Sequence, residues 1–174
     1  GSYSLMSGTS MATPHMAGLA ALVEQYVKSQ HPQQDAAASA DLTNHLLVST
    51  AVHQQENGVY VSPRRQGAGL VNAAAAISTP AYIDVDGKLV GKLELGDDPG
   101  WSGSYDLDFR VENLGSDTLS YSMKAVLLRP DTAEQDGKTM VLASDVLIRE
   151  VDLGSVSVPA GGTQVSRTDY SLII

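Results

Sequence analysis

The sequence predicts two kinds of structure in one chain: helices of α/β type first, then an all-β antiparallel sandwich. Three observations carry this expectation. The first is a composition split at Thr79-Pro80. Residues 1–79 hold 14 alanines, three basic and four acidic residues, whereas residues 80–174 hold 5 alanines, 8 basic and 16 acidic residues. The second is the segment between Thr13-Pro14 and His31-Pro32, which carries helix start and stop signals and holds the apolar run Met16 to Val23. The third is strict alternation in the second half. There Tyr105, Leu107, Phe109 and Val111 interleave with Asp106, Asp108 and Arg110, the period of a half-buried strand. At 174 residues and 43% hydrophobic the chain is long enough to bury a core, as one domain or two small ones.

Each element has its own signal. Thr13-Pro14 pairs a capping residue with proline at a first-turn position, so a helix is expected from about Thr13 to Gln30, stopped by His31-Pro32. Its first half is apolar on every face, which requires cover on every side. Asp35 to Ser39 reads as a loop or short helical turn, and Asp41 to Val52 as a second helix. Asn57-Gly58 is a turn, Val59 to Val61 a short strand, Gln66-Gly67-Ala68-Gly69 a tight turn, and Val71 to Ile77 a short third helix.

After Pro80 the period is two. Strands are expected at Ile83–Val85, Leu89–Leu95, 104–112, Leu119–Ala125, Met140–Leu142, Val146–Val151, Val156–Val158 and Gln164–Leu172. Turns at Asp86-Gly87, 97–100, Pro130-Asp131, Asp136-Gly137 and 159–162 separate them. Many short strands at this spacing predict a sandwich.

Charge and composition exclude several classes. A net charge of −9 repels phosphate backbones and argues against nucleic acid as a partner. No apolar run approaches the roughly 20 residues that span a bilayer, so no transmembrane segment is expected in this stretch. With no cysteine, neither a disulfide framework nor a thiolate metal site can form. No cofactor is expected. Calcium is the one cation with candidate ligands, at Asp84-Val85-Asp86-Gly87 and Asp97-Asp98, but no full loop pattern is present and Asp-Gly is a hairpin signal by itself.

The stretch that carries chemistry is Ser7-Gly8-Thr9-Ser10-Met11-Ala12-Thr13-Pro14-His15. It sets Ser10 just before a helix start, on backbone made tight by Gly8. Amides at a helix N-terminus are unpaired and carry positive partial charge. A serine there exposes its hydroxyl and can turn its own N–H toward a developing oxyanion. The alternative reading of such a serine is a plain N-cap. His15 lies five residues after Ser10, about 140° around the helix, and points away from it. His31, His45 and His53 lie in segments with no aspartate at useful spacing and read as neutral helix or surface histidines. Arg64-Arg65 reads as an exposed basic pair in a loop.

From Tyr3 through Gly18 the sequence closely resembles the nucleophile motif of the subtilases, the subtilisin-like serine proteases. The resemblance continues in Gln66-Gly67-Ala68-Gly69-Leu70-Val71-Asn72, which is similar to the turn and helix that close subtilase domains, with Asn72 where the family often has an acid. Residues 80–174 resemble, more loosely, the fibronectin type III-like module of lactocepin-type cell-envelope proteinases. That likeness rests on Phe109-Arg110-Val111-Glu112-Asn113 and Val156 to Gly161.

The resemblance implies an α/β fragment, the C-terminal helices of a doubly wound subtilisin-like domain over residues 1–79. The all-β antiparallel sandwich then spans 80–174, ending mid-strand at Leu172-Ile173-Ile174. It implies that Ser10 is the nucleophile and a backbone oxyanion donor, and that Gly8 and Thr9 line the substrate. The catalytic Asp and His and the oxyanion Asn would lie upstream, outside this chain. The chain alone is then expected to be inactive, to need the N-terminal part of the catalytic domain, and to expose an apolar patch on its first helix. The implied activity is a serine-type endopeptidase acting on protein or peptide substrate, extracellular or in the bacterial cell envelope. The rival reading is a non-catalytic cell-surface interaction or spacer module with a protease remnant.

Overall fold

The structure, a computed structural model, describes residues 3–85, 100 and 103–171, the side chains of 104–107 and 163–171 excepted. The expected turn at Asp86-Gly87, the strand Leu89–Leu95, the Asp97-Asp98 pair, Trp101 and Leu172-Ile173-Ile174 lie outside the described residues. Helices come first and antiparallel sheets follow, in the order the sequence predicts.

Helix α1 spans Thr9–Gln30, starting four residues before Thr13. Gly8 is its N-cap, at φ 150° in the region that favours glycine. Pro14 therefore stands inside the helix and has no N–H to give the Ser10 carbonyl. Beside this break the Thr13 hydroxyl donates to the Thr9 carbonyl at 2.8 Å. The helix ends as expected at His31, whose N–H donates to the Val27 carbonyl.

Helix α2 spans Ala36–Ser49, so it opens within the segment read as a loop or short helical turn, and takes the helical alternative. Asp35 is the cap, accepting from the Ala38 N–H at 2.8 Å. Helix α4, Ala73–Ser78, is capped by Asn72, which accepts from the Ala75 N–H at 3.0 Å. An amide oxygen thus serves where the family often has a carboxylate. Val23 and Val27 of α1 pack with Leu42, Leu46 and Leu47 of α2 and Ala76 of α4. This cluster covers one face of the C-terminal half of α1. The N-terminal half is mostly bare among the described residues: Met16 is exposed, as are Leu5 and Met6 before the helix and Leu22 just past its midpoint. The cover that its all-round apolar sequence requires is not supplied by α2 or α4.

Between α2 and α4 the chain forms a small hairpin, β1 (Gln55–Glu56) and β2 (Val59–Val61), turned at Asn57-Gly58. A one-turn helix, α3 (Pro63–Gln66), follows. It is capped by Ser62 and places Arg64 and Arg65 on a helix instead of a loop. Val52 and Leu70 then exchange two backbone bonds of 2.8 Å. Gly69 makes this approach possible. Its φ is 127°, and a Cβ there would run into the Val52 carbonyl and lie 2.8 Å from the His53 nitrogen.

Two antiparallel sheets follow. One has β3 (Ala81–Asp84), β4 (Ser104–Asn113) and β7 (Thr163–Ser171), in the order β3-β4-β7. The other has the order β1-β2-β6-β5, with β5 at Leu119–Gln135 and β6 at Lys138–Val158. Ala81 and Val111 of the first sheet share a core with Val156 and Val158 of the second, bordered by Phe109, Leu119 and Met123.

The expected strands Met140–Leu142, Val146–Val151 and Val156–Val158 form a single strand, and the expected turn at Pro130-Asp131 is a point inside β5. The reason is position. β5 is an edge strand of its sheet, so Pro130 can lack an N–H without losing a ladder bond. Register shifts at Met123/Lys124, Leu127/Leu128 and Pro130/Thr132 absorb the irregularity. Asp136-Gly137 closes the hairpin, both residues at positive φ. The sheet also crosses Pro80, because β2 pairs with β6 through Tyr60 with Asp145 and Val61 with Ser144.

Candidate active site

Ser10 is the second residue of α1 and is exposed. The Gly8 carbonyl accepts from the Met11 and Ala12 N–H groups at 3.0 and 3.1 Å, which fixes the first turn. By helix geometry the Thr9 and Ser10 amides precede the first intrahelical donor, so they point out along the axis with the positive end of the helix dipole. An exposed hydroxyl beside outward amides can attack an electrophilic carbonyl and stabilise the resulting oxyanion, given a base. Gly8, the cap, and Thr9, the first residue of α1, immediately precede Ser10 and are exposed like it.

The histidines divide by partner. The His15 Nδ1 is 2.7 Å from the Met11 carbonyl, which ties the ring to its own helix. The His53 Nε2 lies 3.3 Å from the Val61 carbonyl, and its ring meets Tyr60 edge-on. His45 differs from its sequence reading. It is buried on α2, and its Nε2 is 3.6 Å from Asp84 Oδ1, an aspartate 39 positions away in sequence. Spacing along the chain carries no sign of this pair, because β3 is brought to α2 only by the fold.

His45 does not serve Ser10. Val23 is the first fully buried residue of α1 against α2, and Ser10 is 13 residues up the helix from it. At 1.5 Å per residue that is about 20 Å. The His45 site is a separate polar cluster where helix meets sheet.

In that cluster Asp84 Oδ2 accepts from Arg110 Nε at 2.9 Å and from Arg110 Nη2. The carboxylate is thus taken by a guanidinium, which fits a structural role. The His45 ring lies 5.3 Å from the Tyr82 ring. His45 Nδ1 and Ser39 Oγ, both on α2, are buried without a hydrogen-bond partner among the described residues. Burial raises the Tyr82 phenol above its ordinary value of 10.0; Glu112 and Asp84 add to the rise and Arg110 opposes it. A raised pKa means that the folded state holds the proton longer than the unfolded chain. The stabilisation is fully present below pH 10.0 and is lost as pH rises through the folded pKa. Tyrosinate absorbance should show one late-titrating tyrosine that is missing in Tyr82→Phe. If the two proteins titrate identically, Tyr82 is not shifted.

A second ion pair also has no signal in the sequence. Arg64 Nη2 donates to Asp145 Oδ1 at 3.0 Å, while Arg64 Nε and N donate to Ser62 Oγ at 3.0 and 3.3 Å. Asp145 is buried and Arg64 is half exposed. No helix of the described residues is long and apolar enough to cross a membrane.

Comparison with known proteins agrees with the motif. The model of the Subtilase family matches residues 1–69. The C5a peptidase of Streptococcus pyogenes is 29% identical over 164 residues, 93% of this chain and 14% of that protein. The PII-type proteinase of Lactococcus lactis subsp. cremoris is 41% identical over 85 residues, 43% of this chain and 4% of that protein. The PI-type proteinase of the same organism matches equally. The chain thus spans about one-seventh of the length of the C5a peptidase. Residues 1–69 are a segment of the Subtilase family, and the chain is distantly similar to streptococcal C5a peptidase and to the lactococcal proteinases.

Proposed function

We propose that this chain carries the nucleophile segment of a subtilisin-like serine endopeptidase. The observation that supports it most is the family match over the stretch that contains Ser10, a serine exposed at a helix N-terminus just after Gly8. Ser10 Oγ gives its proton to the base and attacks the scissile carbonyl of a protein substrate; the C–N bond then breaks, the amine leaves carrying that proton, and water hydrolyses the resulting acyl-enzyme to the acid and free Ser10. The Ser10 N–H donates one oxyanion hydrogen bond, and Gly8 and Thr9 border the substrate. The general base is a histidine outside this chain, oriented by an aspartate also outside it. The second oxyanion donor is an asparagine outside it too.

On this reading residues 1–79 close the catalytic domain, and 80–174 form a fibronectin type III-like module joined to it through the β2–β6 pairing. The enzyme acts outside the bacterial cell or in its envelope. Without a base, Ser10 stays a neutral alcohol, and the 174-residue chain alone is inactive. A fluorophosphonate probe tests this. It should label Ser10 stoichiometrically in the complete parent protein and leave the 174-residue chain unlabelled. Failure to label the parent, or labelling of the short chain, would sink the proposal. An unlabelled parent would favour the spacer reading.

A further inference from the structure

The β5–β6 ribbon reaches well beyond the two-sheet core. Its core residues Val156 and Val158 sit near one end. From Val126 to Arg149 the described ribbon has two strands and one short extra neighbour, β2. In that stretch Val126, Met140, Val141, Leu142, Leu147 and Ile148 are 39–58% exposed. A two-stranded ribbon is marginally stable by itself in water, and adjoining exposed apolar residues mark an interaction surface.

What covers them follows from a contact already in place. β6 pairs with β2, the Ser62 N–H donates to the Ala143 carbonyl at 3.3 Å, and the buried Asp145 holds Arg64. Tyr60, Val61, Ser62 and Arg64 all belong to the segment matched by the Subtilase model. The bare residues of β6 flank this contact on both sides. Met140 to Leu142 come just before Ala143, and Leu147 and Ile148 just after Val146. The contact therefore has an apolar continuation in both directions along one strand.

We propose that the β5–β6 ribbon is a docking arm, with these residues continuing the β2–β6 contact onto further parts of the subtilase domain that lie outside this chain. This rests on the reading that the chain is part of a larger subtilisin-like enzyme. The arm and the catalytic segment then form one body, and Arg64 and Asp145 mark where the arm first touches it.

The chain has no cysteine, so an introduced thiol can be followed at a chosen site. Val141→Cys and Leu147→Cys, with Ser157→Cys as an exposed control on the same strand, are made in the 174-residue chain and in the complete protein. Maleimide labelling is read at each site by peptide mapping. Val141→Cys and Leu147→Cys should react at least about tenfold more slowly in the complete protein, with Ser157→Cys equal in both. Equal rates for all three would overturn the proposal. So would slow labelling that already appears in the short chain and deepens with its concentration, since a second copy would then be the occupant. Amide exchange of residues 138–150 in the unmodified proteins decides the matter if a variant fails to fold. Slower exchange in the complete protein than in the short chain supports the arm, and equal exchange overturns it. Fluorophosphonate labelling of the same samples separates the two readings. A labelled Ser10 with a freely reacting arm removes the arm alone, and an unlabelled Ser10 with a protected arm removes the activity alone.

Discussion

Replacing Ser10 with alanine in the complete parent protein should lower turnover about 10⁶-fold while leaving thermal stability unchanged. The magnitude is that known for subtilisin itself, where loss of the serine costs about 2 × 10⁶ in turnover. A serine nucleophile contributes to the transition state of acylation and little to ground-state binding, so KM should hold while kcat falls. Stability should hold because Ser10 is exposed and no side-chain bond caps α1. Alanine suits a helix position, and the expected change is within about 0.5 kcal/mol. Removing the upstream histidine as well should cost little more, since nucleophile and base act as a unit. Steady-state proteolysis decides it. An alanine variant within tenfold of the parent protein would show that Ser10 does not attack substrate.

The largest effect on stability should come from Asp84→Ala. Asp84 is nearly buried, accepts two hydrogen bonds from Arg110 and faces His45. Arg110 also has Glu112 at 3.8 Å, so its charge is not stranded when Asp84 goes. His45 loses the group opposite its Nε2, and its buried Nδ1 already has no partner among the described residues. Breaking a fully buried pair costs about 3–5 kcal/mol, and the partial exposure of Arg110 lowers this to about 2–3 kcal/mol. For a chain of this length that is about 5–10 °C in Tm. Asp84→Asn keeps an acceptor for Arg110 and should cost less. Ser49→Ala, which removes the 3.0 Å acceptor for the Ile83 N–H beside it, should cost about 1 kcal/mol. A calorimetric scan in which Asp84→Ala melts with the parent chain would show that this cluster does not tie α2 to β3.

Legibility depends on the range of each signal. The stretch around Ser10 is local, and its capping glycine, small residues and serine are read without knowledge of the fold. Helix ends are less legible. The sequence places Pro14 in a first turn, yet it lies inside α1, because Gly8 opens the helix four residues earlier. Asp35 to Ser39 reads equally as a loop or a short helical turn, and Asp35 caps α2. Between residues 138 and 158 three short strands are expected and one long strand is present. Its partner β5 lies at a sheet edge and tolerates Pro130, which no linear pattern reveals.

Contiguous residues are enough to give the order of helices then antiparallel strands, the family of residues 1–69, and the stretch on which chemistry would depend. Each is written as a motif or a period and needs no knowledge of what lies beside it. Which charges meet is a matter for the folded molecule. His45 finds Asp84, Asp84 takes Arg110, and Arg64 reaches Asp145, 81 positions away. The fold also joins β2 to β6 across Pro80, and leaves the first half of α1 and the β5–β6 ribbon uncovered among the described residues. Such contacts depend on how strands and helices are laid side by side. That arrangement is set by burial summed over the whole fold, not by the residues next to each charge.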